Sequence, residues 1–514
     1  MDRQKKIEQI VVSAQQMRDI EGQMFAAGMP VAALMEKVGL AIAHKTIEIL
    51  QTHPAQRIGV LVGAGHNGGD ALVVARELHF HRYKVVFFSP FSKHKELTNS
   101  HAQYTESLGI VRCDSIEKLL TESDLLIDGL FGFGLERDIT DAIASAIALV
   151  NQSSQPVISI DLPSGLHTDT GEVLGIAIKA TYTFCLGLWK LGLLQDRALD
   201  YIGKVELVDF DIPLTAIDAV LGKTPKIKRI TREFAIANLP LHRPPVTHKY
   251  KQGHLLLICG SSRYAGGAIL AGLGARASGI GMLTIAVPES LKPLLVAQLP
   301  EALIVGCPET ELGAISKLKL PVKTNLDSFD AVSCGPGLTT EATPIIQEVL
   351  LCNCPLILDA DGLNILAELG TMPTLAQRKG ATILTPHTGE FKRLFPDLSD
   401  LDRIGAVTTA ARTSGAVVLL KGARTVVASP NGIVWINPES TPALARGGSG
   451  DVLTGLMGGL VAQQSAQSMD EVAAVAAWWH SQAGIKAARI RTEMGVDAHT
   501  LSHYLLTVLS EIKI

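Results

Sequence analysis

Apolar residues along the chain follow two periods, one typical of helices and one typical of buried strands. Between about residues 13 and 50 they recur at helical spacing, and Ser13 with Gln16 has the form of a capping box. Elsewhere, short apolar runs end in glycine-containing turns, which predicts buried strands. In the first half of the chain these strands fall at residues 57–65, 84–89, 124–130, 156–163, 180–188 and 204–210.

A change of composition separates the two halves of the chain. Residues 213–250 are dense in proline, lysine and arginine, and a second series of apolar runs follows them. Because strands alternate with helices in both halves, we expect two α/β domains, at residues 1–222 and 223–514, the first with a parallel, doubly wound sheet. The strands of the second domain are predicted at residues 254–260, 281–288, 330–337, 355–362, 381–387 and 416–422.

Composition narrows the class of protein. The 514 residues are 47% hydrophobic and 19% charged, with a net charge of -4 and no long basic run, so no nucleic-acid-binding surface is expected. No stretch of about 20 apolar residues occurs, which predicts no membrane span. Of the seven cysteines, Cys352 and Cys354 are close in sequence, but no second pair lies at zinc-ligand spacing. We therefore expect reduced, partly buried thiols in a cytoplasmic protein.

Three polar loops follow predicted strands in the first half. The loop Gly63–Gly68 has the form G-x-G-x-x-G, but the next strand ends without the acidic residue that a dinucleotide site needs, so a simple dehydrogenase is not favoured. Asp128 and Asp161 begin the other two loops. Each loop alone fits a turn-capping role, but three at the same end of a parallel sheet indicate a site. Their Asn, Asp and Ser oxygens would suit a hard cation such as sodium or potassium.

The segments GAGHNGGDALVVAREL, DGLFGFGLERD and DLPSGLHTDTG resemble the signatures of the NAD(P)H-hydrate epimerase family, over roughly residues 10–215. The resemblance implies a Rossmann-like three-layer domain, Asp161 as the leading acid–base group, and potassium at Asn67, Asp128 and Ser164. It implies substrate contacts at His66, Asn67, Gly68, Gly69, Asp70, Gly132, Phe133, Gly134, Leu135, Glu136, Arg137, Asp138 and Asp161. His66, Ala71 and Phe133 depart from the family's usual Asn, Gly and Thr.

A second glycine-rich turn, ARGGSGD, leads into an apolar helical run at residues 445–460. Free amides at a helix start bind phosphate, and a carboxylate there suits a general base for a hydroxyl that attacks this phosphate. Asp451 would be that base. An early acidic residue also caps a helix, but capping does not explain the glycines on both sides of it.

The segments HKYKQGHLLLICGSSRYAGGAILAG, LDADGLNIL, LTPHTGEFKRL, LKGARTVVA and GGSGDVLTG together resemble the ADP-dependent NAD(P)H-hydrate dehydratase family, which has a ribokinase-like α/β fold. Arg446 and Ser449 replace that family's usual threonines. The resemblance implies ADP as phosphoryl donor with magnesium. The implied hydrate contacts are Ala268, Gly337, His387 and Asp451, and the implied nucleotide contacts are Lys421, Gly422, Ala423, Arg424, Thr425 and Gly450.

Both resemblances together imply a metabolite-repair enzyme for hydrated nicotinamide cofactors. The first domain would interconvert the R and S forms of NADHX and NADPHX. The second would dehydrate the S form with ADP, giving AMP, phosphate and NAD(P)H. Two alternatives are a small-molecule hydroxyl kinase of ribokinase-like fold and a non-catalytic, ligand-binding first domain. A homo-oligomer is expected on general grounds.

Overall fold

A computed structural model describes residues 3–52, 55–398, 401–463 and 467–511. The chain divides into two compact units, Met1–Pro225 and Lys226–Ile514. Among the helices so described, none is both long and apolar enough to cross a membrane. All seven cysteines are free and buried.

The first unit is an α/β domain around a parallel sheet. Its strands are β1 (Val11–Val12), β2 (Arg57–Val62), β3 (Lys84–Phe88), β4 (Val111–Arg112), β5 (Leu125–Gly129), β6 (Val157–Ile160), β7 (Tyr182–Leu186), β8 (Trp189–Lys190) and β9 (Lys204–Val208). Its helices are α1 (Arg3–Ile7), α2 (Ala14–Ala26), α3 (Val31–Thr52), α4 (His66–Phe80), α5 (Glu96–Ser107), α6 (Ile116–Thr121), α7 (Asp141–Gln152), α8 (Leu199–Ile202) and α9 (Leu214–Leu221).

The strand order of this sheet is β4-β3-β2-β5-β6-β7-β9, and every pair in it is parallel. The chain therefore runs outward from β2 in one direction and later from β5 in the other, which confirms the doubly wound topology. The Ser13–Gln16 capping box is present. The helical spacing predicted between about residues 13 and 50 is confirmed, and Gly28 at φ +99° and Pro30 divide this segment into α2 and α3.

The second unit is also an α/β domain. Its strands are β10 (Ile227–Arg229), β11 (His254–Ile258), β12 (Met282–Pro288), β13 (Leu303–Cys307), β14 (Ala331–Cys334), β15 (Leu356–Leu358), β16 (Thr382–Leu384), β17 (Val417–Leu420), β18 (Val426–Ala428) and β19 (Val434–Ile436). Its helices are α10 (Arg232–Ala237), α11 (Ala265–Ala277), α12 (Lys292–Gln298), α13 (Thr343–Leu350), α14 (Asp361–Leu369), α15 (Thr371–Ala376), α16 (Thr388–Leu394), α17 (Arg403–Ser414), α18 (Ser449–Gln463), α19 (Met469–Arg491) and α20 (Ala498–Ser510).

The second sheet has the order β10-β19-β18-β17-β16-β15-β14-β11-β12-β13. It is parallel from β13 to β17, and β18 is antiparallel to both of its neighbours. Helices α11 and α18 lie against each other at unusually close range, since a methyl group on Gly455 would collide with the Ala271 carbonyl and one on Gly274 with the Val452 carbonyl. One glycine on each helix thus allows the close approach of α11 and α18.

Candidate active sites

The first site lies where the strand order of the first sheet reverses, between β2 and β5. The loops after β2, β5 and β6 all start at the carboxyl edge of the sheet, which is where doubly wound domains bind ligands. Gly63 and Gly68 make the first of these turns tight, because a side chain on either would collide with backbone carbonyls. The close approach of Leu130 to Gly63 joins this loop to the one after β5.

A cavity of about 410 Å³ opens at this edge. That volume is within the usual range for small-molecule sites. The expected substrate residues that line it are His66, Asn67, Asp70, Gly132, Phe133, Gly134, Leu135, Arg137 and Asp161. Among the described residues, Gly68, Gly69, Glu136 and Asp138 do not line it, and Glu136 instead lies 3.6 Å from Arg18.

Asp161 and Lys190 form a buried ion pair in this cavity, with 2.6 Å between Asp161 Oδ1 and Lys190 Nζ. The amides of Phe133 and Leu186 also donate to the Asp161 carboxylate, at 2.9 and 3.3 Å. Burial by itself lowers the pKa of Lys190, but the charge and hydrogen bond of Asp161 together with Cys185 and Glu21 outweigh burial, and the pKa is raised. Asp161 has φ +69°, a strained conformation for a residue other than glycine, and such strain is typical of functional sites.

Two further carboxyl groups face the same cavity, those of Glu21 and Asp70. Burial raises the pKa of Glu21 to about 7, with Lys190 lowering and Asp161 raising it further. Burial also raises the pKa of Asp70 well above its ordinary value, and the charges of Asp161 and Glu21 add to that effect. The cavity therefore combines a carboxylate–lysine ion pair with two carboxyl groups whose pKa values are raised, which is a setting for acid–base chemistry.

Asp128 and Ser164 meet beside this cavity, at the ends of β5 and β6. The Ser164 hydroxyl donates to Asp128 Oδ1 at 2.6 Å, and the Ser159 hydroxyl and Ser164 amide donate to Oδ2 at 2.8 and 2.9 Å. Asn67 donates its side-chain amide to the Ile160 carbonyl at 3.4 Å, and its side-chain oxygen accepts no hydrogen bond from the part of the chain that the structure describes. These three residues supply only oxygen donors, which matches the ligand preference of a hard monovalent cation.

Two departures from the epimerase signature have structural explanations. Phe133 lies with its ring 5.7 Å from Lys190 Nζ, a cation–π contact where the usual threonine would offer a hydroxyl. Ala71 is fully buried beside Gly129, and its methyl group is accommodated because Gly129 has no side chain. His66 is the first residue of α4 and lines the cavity, and burial lowers the pKa of its imidazole.

The second site lies at the corresponding reversal of the second sheet, between β11 and β14. A methyl group placed on Gly267 would lie 3.3 Å from Asp451 Oδ2 and 3.8 Å from the Gly337 nitrogen, so the loops after β11 and β14 meet the start of α18. Ala268 is fully buried at the start of α11 and can offer only its backbone. Burial raises the pKa of Asp451 to about 7, Asp359 raises it further, and Lys421 opposes the change.

Lys421 and Asp359 form the ion pair of the second site, with 2.7 Å between Lys421 Nζ and Asp359 Oδ1. Thr454 donates its hydroxyl to the other oxygen of Asp359 at 2.5 Å. Glu390 Oε2 lies 3.8 Å from the same ammonium, and His387 Nε2 lies 3.5 Å from Glu390 Oε1. Burial alone lowers the pKa of Lys421, but Asp359 and Glu390 outweigh burial, so the pKa is raised and the side chain stays cationic.

The turn at residues 421–425 connects β17 with β18. Lys421 is placed against the carboxylates, and a methyl group on Gly450 would lie 3.5 Å from Lys421 Nζ. Gly422, Ala423, Arg424 and Thr425 continue the turn, where the Thr425 hydroxyl donates to the Gly422 carbonyl at 3.2 Å. Arg446 is exposed and donates to the Met494 carbonyl at 3.2 Å.

Sequence reasoning did not single out Lys190, Glu21, Asp359 or Glu390. A lysine inside the apolar run TFCLGLWKLGLL and a glutamate on the apolar face of α2 are unusual enough to be signals, because isolated charges are rarely buried. Asp359 and Glu390 were within segments that resembled the dehydratase family, without an assigned role. Their importance follows from contacts with Lys421, which is distant along the chain.

Comparison with known protein families matches both units. Residues 255–507 match the family model described as NAD(P)H-hydrate dehydratase, and residues 31–192 match that of the YjeF-related protein N-terminus. Both expected domain types, a Rossmann-like α/β domain followed by a ribokinase-like one, agree with these matches and with the two sheets.

Full-length relatives are similar over almost the whole chain. The bifunctional NAD(P)H-hydrate repair enzyme Nnr of Synechocystis sp. is 55% identical over 96% of this chain and 94% of its own. That of Thermosynechococcus vestitus is 50% identical over 97% of both chains. Among solved structures, the ADP/ATP-dependent NAD(P)H-hydrate dehydratase of Bacillus subtilis, co-crystallized with ATP/Mg2+, is 33% identical over 55% of this chain and 96% of its own, with a TM-score of 0.47.

Proposed function

The chain belongs to the bifunctional NAD(P)H-hydrate repair enzymes, and on that basis we propose which residues carry each of its two reactions. The first domain epimerises the hydrated cofactor at C6 of the nicotinamide ring, and the second dehydrates its S form. The observation that carries this proposal is that each domain has a carboxylate–lysine ion pair on the loops that follow its parallel strands, Asp161–Lys190 in one domain and Asp359–Lys421 in the other.

In the epimerase site, Asp161 exchanges a proton with the hydroxyl group at C6. Lys190 holds this carboxylate in place through their ion pair of 2.6 Å. The amide of Phe133 fixes the second carboxylate oxygen, so that the group faces the cavity in one orientation. The remaining cavity residues would bind the nucleotide part of the substrate.

Potassium is proposed at Asn67, Asp128 and Ser164. The side-chain oxygen of Asn67 and the oxygens around Asp128 fit the ion, which would supply a fixed positive charge beside the substrate phosphates. The test is a thermal unfolding scan in potassium against sodium or a bulky organic cation. A potassium-specific rise in the melting temperature of the first domain is expected. Equal melting temperatures in all three salts would contradict the potassium site.

In the dehydratase site, Asp451 accepts the proton of the 6-hydroxyl as this oxygen attacks the terminal phosphorus of ADP. The amides at the start of α18 and the Lys421 ammonium stabilise the charge on the transferring group. Phosphorylation turns hydroxide, a poor leaving group, into phosphate. Loss of that phosphate from C6 and of a proton from C5 then restores the ring double bond.

Magnesium is expected to travel with the nucleotide. Near Asp451, the described carboxylates already have partners, since Asp359 is bound by Lys421 and Thr454, and Asp361 accepts the Thr339 amide at 2.9 Å. This arrangement suits an ion held mainly by phosphate oxygens. Bound there, magnesium would neutralise charge that develops on the phosphates.

The hydroxyl-kinase alternative is less supported, because full-length relatives and the family match of the second domain both carry hydrate-repair names. The dehydratase and hydroxyl-kinase functions are distinguished by incubating the S epimer of NADHX with ADP and Mg²⁺. Equal amounts of NADH, AMP and orthophosphate are expected. Accumulation of a stable phosphomonoester without NADH would favour the kinase. A homo-oligomeric state stays a prediction.

A further inference from the structure

We propose that Glu21 of α2 is a second catalytic residue of the epimerase, donating a proton to the ring nitrogen N1 while Asp161 accepts the proton of the 6-hydroxyl. This inference rests on the proposed epimerase function of the first domain. It assigns a reacting group to a helix that lies outside the three glycine loops.

The position of Glu21 on α2 directs it into the site. Met17, Ile20 and Met24 form the buried face of α2, and Glu21 lies one turn from both methionines on that face. The preceding turn is anchored beside the loop after β5, because Arg18 lies 3.6 Å from Glu136. Glu21 is accordingly part of the cavity wall together with Asp161 and Lys190.

The half-buried Glu21 carboxyl group has no structural task that would explain its position in the cavity wall. Within the described chain it takes part in no hydrogen bond or ion pair, whereas the Asp161 carboxylate is held by Lys190 and two amides. Burying an unpaired carboxyl group is costly, and such a cost is commonly retained where the group has a function. An unpaired acid that faces a cavity is available to a ligand.

The chemistry at C6 needs both an acid and a base. C6 carries a hydroxyl group and the ring nitrogen N1, so it is a hemiaminal carbon. When Asp161 takes the hydroxyl proton, the O–H electron pair forms the C6=O bond, the C6–N1 pair moves to N1, and Glu21 protonates N1. Rotation about C5–C6 presents the other face of the aldehyde, and the reverse proton transfers close the ring as the opposite epimer. No oxidant or further reactant is consumed.

The protonation states of the cavity agree with this division of roles. With its pKa raised by burial to about 7, Glu21 can both give and regain a proton near neutral pH. Burial and the charges of Asp161 and Glu21 raise the pKa of Asp70 well above its ordinary value, which favours its protonated form. The charged or titratable groups that share the cavity with Glu21 are His66, Asp70, Lys95, Arg137, Asp161 and Lys190.

The test compares Glu21→Gln, Glu21→Asp and Asp19→Asn in the full-length protein. Asp19 is an exposed acid on the same helix, so its variant makes the same change from acid to amide outside the cavity. R-to-S conversion of purified NADHX is followed by chromatography without ADP, against an enzyme-free blank. Glu21→Gln is expected to lower kcat by about 100- to 10 000-fold with little change in KM, while Asp19→Asn stays at the wild-type rate.

Two more readouts distinguish catalysis from a structural role. The wild-type rate is expected to fall above about pH 7, as Glu21 loses its proton, and this decline should be absent from the residual rate of Glu21→Gln. Glu21→Asp should keep the decline and recover part of the rate. Dehydration of the S epimer with ADP should be unchanged in every variant.

The possible failures are separable. A wild-type protein no faster than the blank would refute the epimerase function itself. An active wild type with a Glu21→Gln rate within threefold of it would overturn only the role of Glu21. If Glu21→Gln loses the thermal transition of the first domain, the Glu21→Asp variant provides the test instead. A folded Glu21→Asp protein whose epimerase rate does not decline above pH 7 would also overturn the proposed role of Glu21.

Discussion

Replacing Asp451 with asparagine tests the proposed base of the dehydratase. Asparagine has nearly the same shape, so the turn and its hydrogen bonds should persist, but its side chain cannot accept the hydroxyl proton at neutral pH. A general base contributes about 100- to 10 000-fold to the rate, equivalent to about 2.7 to 5.4 kcal/mol of transition-state stabilisation. We expect Asp451→Asn to lower kcat with the S epimer by that factor.

The pH dependence of the dehydratase kcat/KM tests the same role of Asp451 independently. Because burial and Asp359 raise the pKa of Asp451 to about 7, the active, ionised form falls as pH decreases through that value. The ionised fraction is about 0.1 at pH 6 and about 0.9 at pH 8, so the wild-type kcat/KM should rise roughly tenfold between them and level off above. Asp451→Asn should lack this rise.

The assay follows the near-ultraviolet absorbance of reduced nicotinamide, with purified S epimer, ADP and Mg²⁺. The epimerase activity of the same molecule is the control, because the substitution lies in the other domain. A loss of less than tenfold with the tenfold rise still present in the variant would refute Asp451 as the base. A parallel loss of epimerase activity would indicate general damage instead.

Three further outcomes are expected. Gly68→Ala should abolish epimerase activity, because its methyl group would collide with the Gly63 carbonyl, whereas Gly65→Ala, which faces open space, should fold normally; melting scans and the R-to-S assay compare them. Lys190→Met leaves Asp161 buried and unpaired, so denaturation should show the first domain destabilised by about 3 to 5 kcal/mol, with Asp161→Asn restoring part of it. Ser164→Ala should remove the potassium-specific rise in melting temperature, and a retained rise would argue against this ligand.

Local patterns were sufficient to predict most strands and the loops that follow them. The runs before Gly63, Asp128 and Asp161 are short, apolar and followed by turn residues, so neighbouring residues predict both the strand and the turn. The strands β18 and β19, which are antiparallel to each other, were not predicted from the sequence. They are short and fully buried, and nothing in three apolar residues distinguishes their direction.

The parts of the two sites that could not be predicted depend on contacts between distant positions. Lys190 comes from a short strand after β7 and meets Asp161 only because β6 and β7 are neighbours in the sheet. Asp359 lies 62 residues from Lys421 in sequence and 2.7 Å from it in space. The spacing of residue types along the chain does not predict such pairs. The pKa shifts of these residues also depend on burial, which only the fold provides.

The central claim is that one chain rescues both epimers, and the most direct measurement uses NADHX as a mixture of R and S forms with ADP and Mg²⁺. The wild-type protein should restore NADH from all of the substrate, faster than spontaneous epimerisation allows, while Asp161→Asn should stop quickly at the S fraction and continue only at the spontaneous rate. If the wild type also stops at the S fraction, the first domain is not an epimerase. If neither form is recovered, the repair function itself is contradicted.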